Sequence, residues 1–156
     1  MIQSKLFNID IEKYLKSQPC KFFKGVFSSD NIPFFSGNFV VVCNLSNVRE
    51  IGSHFVVIGR LEGTIVYLDS LSLNWVNGHL KWYLNKISSS TEKITVLNHP
   101  VQSPLSQGCG VYCIFFVLLF HSMALPVTPP LIKFDRWNNN DSICLKNIDI
   151  LVEFLK

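Results

Sequence analysis

The chain has 156 residues, 48% of them hydrophobic and 16% charged, with a formal net charge of +3. That length suits one domain, read as 1–156, and the low charge with thirteen Phe, three Trp and four Tyr excludes a disordered chain. The longest apolar run, Val111 to Phe120, is half of what a bilayer span needs, so no membrane partner is expected. No secretory signal pattern is visible at the N-terminus. Five Cys in such a chain predict free thiols in a reducing compartment, where reactivity matters more than disulfide bonding.

In chain order, Asn8 is expected to cap a short helix with Asp10 and Glu12 in its first turn and Ile11, Tyr14 and Leu15 on its buried stripe. The turn-rich stretch Ser28 to Pro33 leads to a strand over Phe39–Leu45. Strands over Ser53–Arg60 and Thr64–Ser70, joined by Leu61-Glu62-Gly63, read as a hairpin. A surface helix over Asn77–Lys86 and a strand over Ile94–Leu97 follow, then an irregular loop from Pro100 to Gly108. An apolar, buried helix begins near Cys109 and is ended by Pro126, Pro129 and Pro130. Ser142–Lys156 reads as an amphipathic helix packed on the domain. The fold class is α+β, a central β-sheet packed on a buried helix.

Cys109 stands where a Gly-flanked loop enters that apolar helix, in QSPLSQGCGVYC. The free N–H groups and dipole of a helix N-terminus favour a thiolate there, and the same N–H groups can receive an oxyanion. Gly108 and Gly110 leave the sulfur uncrowded. A small buried hydrophobe is the competing reading for Cys109, and it suits Cys113, a turn deeper, far better. Four His compete as the base. His121 lies deep in the apolar helix, His79 on an exposed helix, and His99 in a loop before Pro100. His54 opens a strand after a Gly turn, and Asp69 closes the next strand. A hairpin turn centred near Glu62-Gly63 makes the two opposite or diagonal neighbours on one face, whereas a one-residue bulge separates them. A carboxylate there can hold one imidazole nitrogen so that the other faces a thiol.

No metal site is expected: Cys109 and Cys113 are spaced i, i+4, without a second Cys pair or an H-x3-H motif. Phosphate-loop and dinucleotide signatures are absent, and the aromatics alternate with aliphatics as core residues do.

The string V-Q-S-P-x-S-x-x-C-G, Val101 to Gly110, resembles the active-site signature of the adenovirus protease family, the adenain-like cysteine endopeptidases. Gly52-Ser53-His54-Phe55 resembles the context of that family's His, Asp69 in YLDSL that of its acid, and Asn44, Arg49-Glu50 and FFKGVFSSDNIPFF the region ahead of the His. The resemblance covers residues 14–125 and implies a papain-like core of the adenain type. It implies Cys109 as nucleophile, His54 as base, Asp69 as its orienting acid, and Gln102, seven residues before the Cys, as the oxyanion-hole donor. Phe55, Gly108 and Gly110 would border the substrate, with Phe55 standing where many members have Trp. Thr91 and Lys93 stand where the adenovirus enzyme carries the Cys that takes its activating peptide as a disulfide, so that activation is not expected.

The implied activity is thiol-dependent cleavage of viral capsid precursors near small, Gly-Gly-like sites during maturation. The setting would be the virion and the infected cell, and compact relatives occur in virophages and Polinton-type elements. No cofactor is required by that chemistry. Weak, sequence-independent stimulation by DNA is compatible with the +3 charge, as is an ordinary solvated surface. The alternatives are a protease specific for ubiquitin-like modifiers, whose Gln stands six residues before the Cys, and a catalytically inactive capsid- or DNA-binding module.

Overall fold

The computed structural model describes residues 7–45, 54–71, 78–89, 92–96 and 109–121. In chain order the elements are α1 (Asn8–Lys16), β1 (Phe23–Ser28), β2 (Phe39–Asn44), β3 (Phe55–Leu61), β4 (Thr64–Leu68), α2 (Gly78–Ile87), β5 (Lys93–Val96) and α3 (Cys109–His121). The strands form one mixed sheet in the order β1-β2-β3-β4-β5. β2–β3 and β3–β4 pair antiparallel, while the outer strands β1 and β5 pair parallel with their neighbours.

The inner strands read as nearly unbroken apolar runs because helices cover both faces of the sheet. Alternate residues Val40, Val42, Val57, Val66 and Leu68 join Ile11 and Leu15 of α1 and the apolar side chains of α3. Their neighbours Val41, Cys43, Val56, Ile58, Ile65 and Tyr67 pack against Leu80, Tyr83, Leu84 and Ile87 of α2. α3 is apolar around its whole circumference, as a helix inserted between the sheet and other apolar elements must be. The fold is α+β, with Cys109 as the first residue of the buried helix.

The β3–β4 hairpin turns on two residues, Glu62 (φ 48°) and Gly63 (φ 78°), with Leu61 paired to Thr64. Two successive positive φ angles are those of a type I′ turn, whose twist matches that of the strands. Glu62 is held in this costly region by Asn38: its N–H donates to Asn38 Oδ1 at 3.0 Å, and Asn38 Nδ2 donates to Glu62 Oε1 at 3.0 Å. Leu61 therefore belongs to the ladder and not to the loop.

Three expectations change. Asn8 is the first helical residue and Phe7 the cap position, whose N–H donates to Asp10 Oδ2 at 3.0 Å. β1 is an element the sequence pattern did not suggest. Gly25 (φ 143°) shifts its register against β2 and breaks the alternation, and Glu12 Oε1 of α1 accepts the Val26 N–H at 3.2 Å. α2 and β5 run one residue away from their expected bounds. The expected C-terminal helix (142–156), the prolines after α3 and the loop over 100–108 lie outside the described residues.

Gly59 marks where α3 presses on the sheet. A Cβ there would stand 2.8 Å from both Phe120 Cε2 and the Phe39 carbonyl oxygen. Gly59→Ala should destabilise the protein by about 1–3 kcal/mol, because backbone on one side cannot yield. Chemical denaturation of the two proteins measures this, and an unchanged midpoint would contradict the close packing.

Candidate active site

The functional side chains gather where the inner ladder runs out. In the β3–β4 register, Val57 faces Leu68 without an intervening bulge. Continued one step, Asp69 aligns with Val56, and His54 stands two residues away on the diagonal, within reach of a long side chain. Both residues lie just beyond the ends of their strands. His54 Nε2 and Asp69 Oδ1 are 2.6 Å apart, and both side chains are nearly enclosed. Asp69 Oδ1 also accepts the Leu71 N–H at 2.9 Å, which holds the carboxylate from its own backbone. With Nε2 committed to Asp69, Nδ1 is the ring nitrogen left to meet a thiol.

Cys109 supplies that thiol from the first position of α3. Burial alone would raise its pKa. The hydrogen bond and charge of His54, with the backbone N–H groups of Phe55 and Gly110, overcome this and hold Cys109 below the ordinary thiol value. Burial likewise works against a charged His54, but hydrogen bonds to Asp69 and Cys109, with their charges, push the ring up to about 9. The two shifts belong to one coupled pair, in which each group favours the charged form of the other. Cys113, one turn deeper, is fully buried and pushed well above its ordinary value by that burial. Cys43 is raised for the same reason, with Asp30 adding to it.

The structure thus brings His54, Asp69 and Cys109 together. Gln102 and Gly108 lie outside the described residues, as does His99. His79 sits on the exposed side of α2 and His121 at the far end of α3, away from the thiol. Phe55 requires a correction: its side chain is only 4% exposed and packs in the core between the sheet and α3, so it forms no open wall for a substrate. Its contribution is its backbone. The Leu45 N–H donates to the His54 carbonyl at 2.9 Å, which makes 45/54 a hydrogen-bonded pair and turns the Phe55 N–H away from β2. β4 has already ended at Leu68, and the Phe55 N–H is one of the groups that hold the Cys109 pKa down. Gly110 is likewise buried, and its N–H helps hold the Cys109 pKa down. A signal for the Phe55 amide existed only in the register, one residue past the His.

Among the described residues, no three His, Cys, Asp or Glu side chains converge as a metal site would require, and no helix is long and apolar enough to cross a membrane. The arrangement favours the thiolate of Cys109 over that of an ordinary thiol, can accept and return a proton at His54, and offers helix N-terminal N–H groups beside the sulfur.

No family model matches the sequence, and no curated protein does. Among solved structures, the chain is similar to the SUMO protease Ulp1 with its catalytic cysteine oxidised to a sulfinic acid (21% identity, TM-score 0.39), covering 76% of this chain and 54% of that one. It is similar to the ASFV pS273R protease (17% identity, TM-score 0.49), covering 81% and 64%, respectively. A third likeness is to the Chlamydia abortus effector ChlaDUB (18% identity, TM-score 0.48), covering 76% and 55%. The chain therefore spans between 54% and 64% of these proteins. At such identities and TM-scores none of them decides the chemistry, which follows from this chain's own residues.

Alkylation by iodoacetamide, followed by mass mapping at each Cys, reads the ion pair directly. Cys109 should react at pH values below those of an ordinary thiol, and His54→Ala should move its midpoint upward, while Cys113 and Cys43 stay unreactive in the folded protein. The sign for stability follows from the raised His54 value. Its contribution is complete below the ordinary 6.5 and is lost as pH rises through about 9. A Cys109 that reacts like a free thiol, unaffected by His54→Ala, would break the pairing.

Proposed function

We propose that the chain is a thiol-dependent peptide hydrolase, a cysteine endopeptidase. The observation that carries this is the convergence of His54, Asp69 and the Cys109 sulfur at the N-terminus of α3. In this scheme the thiolate attacks the scissile carbonyl carbon. The carbonyl oxygen becomes an oxyanion, met by helix N-terminal N–H groups and the Gln102 carboxamide. His54, protonated in the resting pair, gives its proton to the leaving amine, and the bond breaks to an acyl-enzyme. Water then loses a proton to His54, attacks the thioester, and releases the acid and the sulfur. Asp69 keeps the imidazole oriented and offsets its positive charge.

The substrates we propose are viral capsid precursors cut near small, Gly-Gly-like residues, during maturation in a particle within the infected cell. What supports this finer reading is the Val101–Gly110 string and the seven-residue spacing from Gln102 to Cys109, which match the adenain-like signature and not the six-residue spacing of modifier-specific proteases.

Peptide cleavage assays decide the matter. Cys109→Ala and His54→Ala should lose cleavage while remaining folded, and Cys113→Ala should retain it. Gln102→Ala should lower kcat by about 10²–10³-fold, the usual cost of one oxyanion donor, and Gln107→Ala should cost less. An active Cys109→Ala variant, or equal effects of the two Gln substitutions, would overturn the assignment. Preference for ubiquitin-like C-termini over capsid-derived peptides would replace the substrate class but keep the chemistry.

DNA stimulation is proposed as an electrostatic effect only. Duplex DNA should raise the cleavage rate at low salt with reductant present, and the gain should fall steeply as salt is added. No rate change at low salt would eliminate DNA as a stimulus.

A further inference from the structure

β2 reads Phe-Val-Val-Val-Cys-Asn, and its last residue is the exception: Asn44 is a carboxamide only 4% exposed at the end of an otherwise apolar buried strand. A polar side chain in that position costs stability unless it is hydrogen-bonded. Asn44 Nδ2 donates to Asn8 Oδ1 in the first turn of α1, at 3.2 Å. Two elements distant in sequence are therefore tied together at one end of the sheet.

That end is the one that carries the site. Asn44 is the cross-strand partner of Phe55. Because 45/54 is the hydrogen-bonded pair, 44/55 is the closer-spaced pair whose own amides turn outward, and its side chains are immediate neighbours. Asn44 shares its face with Val40 and Val42, the face that α1 and α3 cover. One rung beyond, the Leu45 N–H holds the His54 carbonyl. The backbone from His54 to Phe55 thus carries the base at one residue and, at the next, an N–H that helps hold the Cys109 pKa down. It passes directly alongside Asn44.

We infer that Asn44, anchored to Asn8, is a positioning residue for the thiolate–imidazolium pair. The carboxamide bridge fixes the start of β3 against α1, so that the Phe55 N–H and the His54 ring meet the sulfur in one geometry. Asn44 touches no reacting atom and acts through Phe55 and His54. The inference rests on the peptide-hydrolase reading for its meaning in turnover, but its direct readout is the sulfur itself.

The experiment follows Cys109 alkylation by iodoacetamide against pH, with mass mapping, in Asn44→Leu, Asn8→Ala and Asn8→Asp variants, together with melting temperature and cleavage kinetics. Asn44→Leu keeps the branching and heavy-atom count of the side chain and removes the bridge. Asn8→Ala removes it from an exposed position where folding is not at risk. Asn8→Asp keeps an acceptor for Asn44 Nδ2. Asn44→Leu and Asn8→Ala should each slow alkylation at pH 6 by about tenfold, equivalent to about one pKa unit upward for the thiol, and Asn8→Asp should stay within about twofold of the parent. In turnover the loss should fall on kcat with KM little changed. Parental alkylation profiles in folded Asn44→Leu and Asn8→Ala would overturn the inference, as would equal losses in Asn8→Ala and Asn8→Asp. A parent protein with an acid-shifted Cys109 that cleaves no peptide would instead count against the peptide-hydrolase reading and leave the alkylation comparison decisive here.

Discussion

The register of the β3–β4 hairpin is the constraint on which the site depends. Side chains alternate faces with a period of two along a strand, so one inserted residue between His54 and Asp69 would send the carboxylate to the opposite face. The 2.6 Å contact between His54 Nε2 and Asp69 Oδ1 exists because Glu62 and Gly63 close a two-residue turn and every rung from Leu61–Thr64 to Val57–Leu68 is in step. The turn in turn needs Glu62 at φ 48°, a conformation that a non-glycine residue adopts at a cost. Asn38, at the approach to β2, offsets that cost with two hydrogen bonds. A brace at one end of the sheet thereby sets the geometry at the other.

Burial on both faces explains why the chemistry sits at the strand ends. On the inner strands nearly every rung faces apolar side chains of a helix, and an ionisable group placed there would lose its hydration without a partner. Past the last rungs, backbone groups become free to serve side chains. The Leu71 N–H goes to Asp69, and the Phe55 N–H helps hold the Cys109 pKa down. The same low-dielectric surroundings that raise the pKa of Cys113 and Cys43 strengthen the interactions that lower that of Cys109. Three buried thiols, two on the α3 face of the sheet and one on the α2 face, are thus separated by their partners and not by burial.

Arg60, at the opposite end of β3 from His54, does for the scaffold what the ion pair does for the site. Its guanidinium reaches Glu92 Oε2 at 2.9 Å, the Phe35 carbonyl at 3.3 Å and the last carbonyl of α2, that of Ile87. One fork of fixed geometry joins the β2 approach, the end of α2 and the segment before β5. The charge is tolerated there because each of the three guanidinium nitrogens meets an oxygen.

Much of this was legible in the residues alone. The β-rich runs over 53–60 and 64–70 named two strands, Leu61-Glu62-Gly63 named the loop between them, and the Gly-flanked Cys109 before an apolar run named the nucleophile's helix start, because each signal is local. The side chains of His54 and Asp69 could be placed on one face by counting back from the turn. β1 escaped because the bulge at Gly25 removes the period that sequence reading relies on, and its pairing with β2 is non-local. The outward turn of the Phe55 N–H, the burial of its ring and the Asn8–Asn44 bridge depend on which rung of β2 faces which rung of β3, and no local pattern carries that. The sequence by itself determined the chemical types and their order, His, Asp, then Cys, because identity and spacing are covalent facts. Tertiary structure alone decided which backbone amides lie beside the sulfur and how far each thiol's pKa is moved, because those depend on where ladders end and on what each buried group finds beside it.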